Sequence, residues 1–243
     1  MLSRSAAILS LAAAALVATG CEPERRRLDG PPIPRSGPAT PFTHPTGIKF
    51  VLLPSGSTET SAYILEMRRP LLMSAHEVTN AQYEKFAPDH TRSKASPGDD
   101  HPVSNVTAKQ AEAFCNWLTK NDPLGRKYKM PDPVEWEYAA RGGRGDRIYP
   151  WGNEIDKEKA CYEAEGTTPV GSYEPNGFGL YDVAGNVGEW VRLDGIPPYE
   201  LRGGAWRDKA PGLRLTARHA APKDAADLDH HGFRVLCEPP LLE

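Results

Sequence analysis

Cysteine is scarce in this chain of 243 residues: there are four, too few to build a disulfide scaffold. None lies between Tyr162 and Leu236. A basic excess is missing too. Lys and Arg number 29 against 32 acids, a formal net charge of −3, which argues against a protein that tracks nucleic-acid phosphates. No apolar run reaches the roughly 20 residues of a membrane span, and a mean hydropathy of −0.53 excludes a polytopic membrane protein. No repeat and no dinucleotide or phosphate-loop glycine pattern is found. Proline (24) and glycine (22), in contrast, are plentiful, which favours a loop-rich fold over a helical bundle. The length allows one or two domains with a real core.

The first twenty residues read as an export signal. Arg4 is followed by an apolar run from Ala6 to Ala18, then by Thr19-Gly20-Cys21. The ending Ala18-Thr19-Gly20-Cys21 resembles a bacterial lipobox, which implies cleavage before Cys21 and lipidation of its thiol. An ordinary secretory signal cut nearby is the alternative, and it also implies export. Residues 21–45 hold seven prolines and the run Arg25-Arg26-Arg27 without hydrophobic period, the pattern of a solvated tether. The domain is expected over 46–239.

Within it, Ile48–Leu53 and Ala62–Met67 read as strands. Three helix starts share one chemistry: Thr79-x-x-Gln82, Thr107-x-x-Gln110 and Asp132-Pro133-Val134-Glu135. Each offers an N-cap side chain and a Glu or Gln at N3, so backbone N–H groups are satisfied from both sides. Pro133 stands at N1, where a missing N–H costs nothing. Ala111, Phe114, Cys115 and Leu118 fall on one face of the second helix, which is expected to be buried. Turns dominate from Tyr149 to Gly204, with Val187–Val191 strand-like between them, and Gly232–Cys237 reads as the last strand.

Motifs in order along the chain then resemble the formylglycine-generating enzymes, the sulfatase-modifying factor family. They include His101-Pro102-Val103-Ser104-Asn105-Val106 and Glu135-Trp136-Glu137-Tyr138-Ala139-Ala140-Arg141-Gly142-Gly143. Tyr149-Pro150-Trp151-Gly152-Asn153 and the stretch from Pro175-Asn176 through Gly185-Asn186-Val187 to Glu189-Trp190 continue the series. Leu201-Arg202-Gly203-Gly204-Ala205-Trp206 and Gly232-Phe233-Arg234 close it. The resemblance implies an α+β fold: a single irregular, loop-rich domain related to C-type lectins.

Enzymes of that family oxidise a client cysteine to formylglycine with a copper-binding cysteine pair, soft thiolates suited to Cu(I). The resemblance puts that pair at Asp208 and near Leu213, so the thiolates are absent and copper is not expected. His219, His230 and His231 with Asp224, Asp227 and Asp229 would make an iron or zinc site conceivable, but a solvated polar loop is the expectation. The resemblance also implies calcium held by Asp182, Gly185, Val187 and Glu189, two carboxylates and two turn carbonyls. A turn carrying two exposed acids is the alternative. It further implies a Cys115–Cys237 disulfide and leaves Cys161 alone, read as an inert side chain.

Two functions follow as expectations. The first is a non-catalytic binding or scaffold module, anchored by lipid in the bacterial cell envelope and engaging a protein or peptide partner. Trp206, Arg207, Asp208, Arg214, Arg218 and His219 would form its face, where the family's enzymes hold their client. For Trp206 a place in the core, and for the arginines structural ion pairs, are equally open. The second is an oxidoreductase that modifies exported proteins by other chemistry, since fold does not fix function.

Overall fold

Each helix begins at the side chain the sequence marks for it. Thr79 Oγ1 accepts from Gln82 N and Gln82 Oε1 accepts from Thr79 N, opening α1 (Asn80–Tyr83). Thr107 and Gln110 do the same for α2 (Ala108–Asn121). Asp132 Oδ1 accepts from Val134 N and Glu135 N, and Glu135 reaches back to Asp132 N, opening α3 (Pro133–Arg141). The helix ends at Gly142 in a left-handed conformation. Ala111, Phe114, Cys115 and Leu118 face inward, as their spacing requires.

The computed structural model describes residues 24–26, 39–196, 198–222 and 228–239. Its strands are β1 (Glu24–Arg26), β2 (Phe42–Thr43), β3 (Lys49–Leu53), β4 (Gly56–Glu59), β5 (Tyr63–Met67), β6 (Leu71–Ser74) and β7 (Lys127–Lys129). They continue with β8 (Gly188–Arg192), β9 (Tyr199–Arg202), β10 (His219–Ala220), β11 (His231–Gly232) and β12 (Leu236–Glu238). Three short sheets result, in the orders β2-β3-β6-β12-β7, β10-β9-β8-β11 and β1-β5-β4. One apolar cluster, with Phe50, Phe114, Trp190 and Phe233, packs α2 on the five-stranded sheet. A second gathers Leu53, Leu65, Trp136 and Leu236 under α3. This is a single α+β domain in which irregular loops connect the sheets.

Two expectations change. Residues 39–45, expected in the tether, belong to the domain: Phe42 pairs with Phe50 across β2 and β3, their rings stacked at 4.9 Å. Also, β1 inside the expected tether runs parallel to β5. The last strand is not continuous. Residues 231–232 pair in parallel with β8, whereas 236–238 lie between β6 and β7 in another sheet. Phe233, Arg234 and Val235 carry the chain across, and Val235 O accepts from Ser74 N at 2.8 Å. The export segment 1–20 and Cys21 lie outside the described residues.

Candidate functional site

The crossing between sheets places one guanidinium in the core. Arg234 is fully buried. Its Nε donates to Glu189 Oε2 at 2.6 Å and its Nη2 to Glu189 Oε1 at 2.7 Å. Trp136 Nε1 donates to Glu189 Oε2 at 2.6 Å, so α3, β8 and the crossing segment meet at one carboxylate. Glu77 stands behind it. Its carboxylate accepts from Asn186 Nδ2 at 2.7 Å and Val187 N at 3.0 Å. Burial, then the nearby Asp182 and Glu189 charges, push the Glu77 carboxyl well above the usual range.

Asp182 begins the turn that feeds this cluster. Asp182, Gly185 and Asn186 have φ of 55°, 87° and 62°. A Cβ on Gly185 would lie 2.3 Å from Cys161 O, and Asn186 N donates to that same carbonyl at 2.9 Å. The turn is thus seated on the backbone of Cys161. Asp182 Oδ2 accepts from Gly171 N at 2.6 Å, while its buried Oδ1 has no hydrogen-bond partner among the described residues. Burial raises the Asp182 carboxyl to about 6. The two acids expected to share calcium are therefore close but differently engaged, Glu189 on Arg234 and Asp182 on Gly171. Neither acid is exposed, which removes the alternative of a solvated turn. Among the described residues no three His, Cys, Asp or Glu side chains gather around a metal-sized space. Asp224 and Asp227 lie outside the described residues.

Four of the six residues of the expected partner face line two separate clefts. Asp208, Arg218 and His219 line one of about 400 Å³, opposite His230 and His231. Its floor is tied down: Asp208 Oδ2 accepts from Ala205 N at 2.9 Å and Asp208 O accepts from Glu163 N at 3.0 Å. His219 Nε2 lies 3.0 Å from Gly212 O, and His230 Nδ1 2.9 Å from Asp229 Oδ1. Arg207 is exposed and reaches Asp229 at 3.6 Å. Trp206 is half-buried, with a buried Nε1 that has no hydrogen-bond partner among the described residues. Arg214 does not belong here. The 3-10 turn Ala210–Leu213 carries it to a different cleft, beside Arg141 and Arg147.

The family's cysteine positions have other duties in this chain. Asp208 closes a turn, and Leu213 is fully buried among Tyr149, Ala160, Tyr162 and Ala184. The implied Cys115–Cys237 disulfide is not formed; Cys115, Cys161 and Cys237 are all buried free thiols. Cys115 and Cys237 share one apolar cluster, but register fixes Cys237 beside Leu72 and Tyr128, with Sγ 3.8 Å from Glu238 O. Burial pushes the Cys161 thiol up to about 11 and the Cys237 thiol up to about 12. Protonated thiols of this kind are poor nucleophiles and poor metal ligands.

Glu77, Trp136 and Arg234 were not singled out as site residues by sequence. The available signal was a charge inside an apolar run, as in Phe233-Arg234-Val235-Leu236, because a buried charge requires a partner.

A curled, loop-rich α+β domain of this kind is of the C-type-lectin-like class. Residues 39–239 match the family described as the sulfatase-modifying factor enzyme 1-like domain, and the chain belongs to that family. It is 34% identical over 172 residues to the inactive C-alpha-formylglycine-generating enzyme 2 of Bos taurus, covering 59% of this chain and 54% of the relative. It is 35% identical over 108 residues to the formylglycine-generating enzyme of Mus musculus, covering 38% and 27%. A protein named serine/threonine-protein kinase pkn1 from Chlamydia pneumoniae is 36% identical over 154 residues, 55% of this chain but 23% of that protein. Among solved structures, Treponema denticola variable protein 1 superposes with a TM-score of 0.68 at 22% identity, over 83% of this chain and 100% of its own. PvdO from Pseudomonas aeruginosa gives 0.68 at 24% identity, over 83% and 99%.

Proposed function

We propose that this chain is a non-catalytic binding or scaffold module that holds a protein or peptide partner in the cleft of Asp208, Arg218 and His219. One observation carries the reading. Where the family's resemblance places a thiolate pair, this chain has a turn-closing carboxylate and a core leucine. Neither can hold Cu(I) or pass electrons from a client thiol. Similarity to a relative named as inactive supports the same reading. Arg218 in the cleft lining and the exposed Arg207 provide planar donor forks suited to carboxylates or backbone carbonyls.

The proposal extends to place and to cation. Export and lipidation at Cys21 would anchor the module in the envelope; membrane fractionation of Cys21→Ser should find it released. Calcium would be held by Asp182 and Glu189 with the Gly185 and Val187 carbonyls. Its support is a charge imbalance among the described residues: Glu77, Asp182 and Glu189 are buried with one guanidinium, Arg234, and Asp182 Oδ1 has no partner there. A hard cation with oxygen ligands would answer both, and its role would be to stabilise the turn.

The decisive experiment is incubation with a Cys-containing sulfatase-type peptide, Cu(I) and oxygen. No aldehyde is expected. Turnover that disappears on changing a residue of this chain overturns the reading.

A further inference from the structure

The cleft that receives Arg214 has its own construction. Leu215 N donates to Ile148 O at 2.9 Å, which brings Arg214 and Thr216 beside Arg147. Ser61 N donates to Asp146 Oδ1 at 2.8 Å, which closes the turn before β5 onto the same loop. Gly145 allows the contact, since a Cβ there would sit 1.9 Å from Glu59 O. The resulting space is about 420 Å³, the size of a small ligand.

Its charge is uneven. Arg141 forms the back wall, nearly fully buried, and is neutralised by Glu137 through Nε at 3.0 Å and Nη2 at 2.7 Å. Arg147 is held by one bond, Nη1 to Trp151 O at 2.7 Å, so most of its N–H fork is left for a ligand. Arg214 is exposed, and no described residue pairs its charge. Asn153 uses its side-chain oxygen to accept from Ile148 N at 3.2 Å, so its amide NH₂ remains a donor. Against these stands one carboxylate in the lining, Asp146. The cleft therefore presents donors and net positive charge around a space without a filled acceptor.

We propose that this cleft binds an oxyanion, a carboxylate or phosphate group carried by a small ligand. Two guanidiniums from separate loops would grip it bidentately, with Asn153 completing the set. Arg147 is pre-positioned by Trp151 and by the Arg147 carbonyl, which accepts from Arg141 Nη1 at 3.4 Å. The site is separate from the partner cleft, so it works whether or not that reading holds.

Calorimetric titration of the whole chain at low ionic strength tests it, with citrate as the carboxylate probe and inorganic phosphate as the other. At least one probe should bind, and the one that binds identifies the anion class. Arg214→Gln should weaken binding about tenfold, and Arg147→Gln by a similar factor. Asp146→Asn keeps an oxygen for Ser61 N while removing the opposing charge, so it should tighten binding several-fold. Added salt should weaken every interaction. Among the described residues Arg214 has no charge partner, so its variant reports even if Arg147→Gln fails to fold. Failure of both probes to bind the parent, or unchanged affinity in Arg214→Gln, overturns the proposal.

Discussion

Arg234 is the residue on which most of the interior depends. Its side chain and that of Glu189 are each 1% exposed, and the guanidinium also donates to Tyr181 O at 2.9 Å. Arg234→Met would leave Glu189 charged and buried, with only Trp136 Nε1 as donor among the described residues. Breaking a buried pair from one side costs about 3–5 kcal/mol. Urea denaturation should show that loss, and a change under about 1 kcal/mol would mean the pair is not buried as described. Gly185→Ala is expected to be severe for a different reason. It sets a Cβ against Cys161 O and forces a left-handed φ on alanine, which by itself costs about 1 kcal/mol or more. These positions were visible in the sequence as motif letters. Their partners were not: Glu189 is 45 residues from Arg234, and Glu77 is 110 from Val187. No local pattern reports pairing at that distance.

At the scale of elements, local chemistry was readable and inter-element geometry was not. The three helix starts could be read because a capping box lies within four residues. Thr107→Ala should cost about 1 kcal/mol, and Gln110→Ala somewhat less. The double variant should cost less than the sum, since each side chain is the other's partner, Gln110 N to Thr107 Oγ1 at 3.2 Å and Thr107 N to Gln110 Oε1 at 2.8 Å. Additive losses in thermal unfolding would show that the box is not formed. The last strand was misread because alternation records which side is buried, not which sheet a strand joins. Both halves of Gly232–Cys237 are buried, so the crossing at Arg234 leaves no break in hydropathy. The partner face failed similarly. Residues 206–219 are neighbours in sequence, but after the turn at Ala210–Leu213 the chain places Arg214 in a second cleft before Arg218 and His219 return to the one lined by Asp208.

For the whole molecule, a bound cation and the proton both become stability measurements. A calcium ion on Asp182 and Glu189 would add about 2.7 kcal/mol at a hundredfold excess over Kd. Chelator should then lower the melting temperature of the parent but not of Asp182→Asn, which keeps an oxygen for Gly171 N and tolerates the left-handed φ. A parent indifferent to chelator, with no calcium by elemental analysis, would end that idea. The proton acts elsewhere. Burial lowers His44 below its ordinary 6.5, with Asp122 opposing and Arg126 and Lys85 assisting. Burial lowers His90 as well, against Glu84 and with Arg92, and its buried Nε2 has no hydrogen-bond partner. An imidazole with a depressed folded-state value binds fewer protons in the native than in the unfolded chain. Its contribution is intact above 6.5 and is lost as pH falls from there toward the folded-state value. The two histidines should therefore pull the urea midpoint down between about pH 7.5 and about pH 5.5, against the raised Glu77 and Asp182 carboxyls, which gain stability over the same interval, so the parent is compared with a variant lacking both rings. Replacing both rings, His44→Asn with His90→Leu, lowers stability at the upper pH but removes two groups that must stay neutral. The drop across the interval should then shrink. A drop of undiminished size in the double variant would assign the acid sensitivity to other groups.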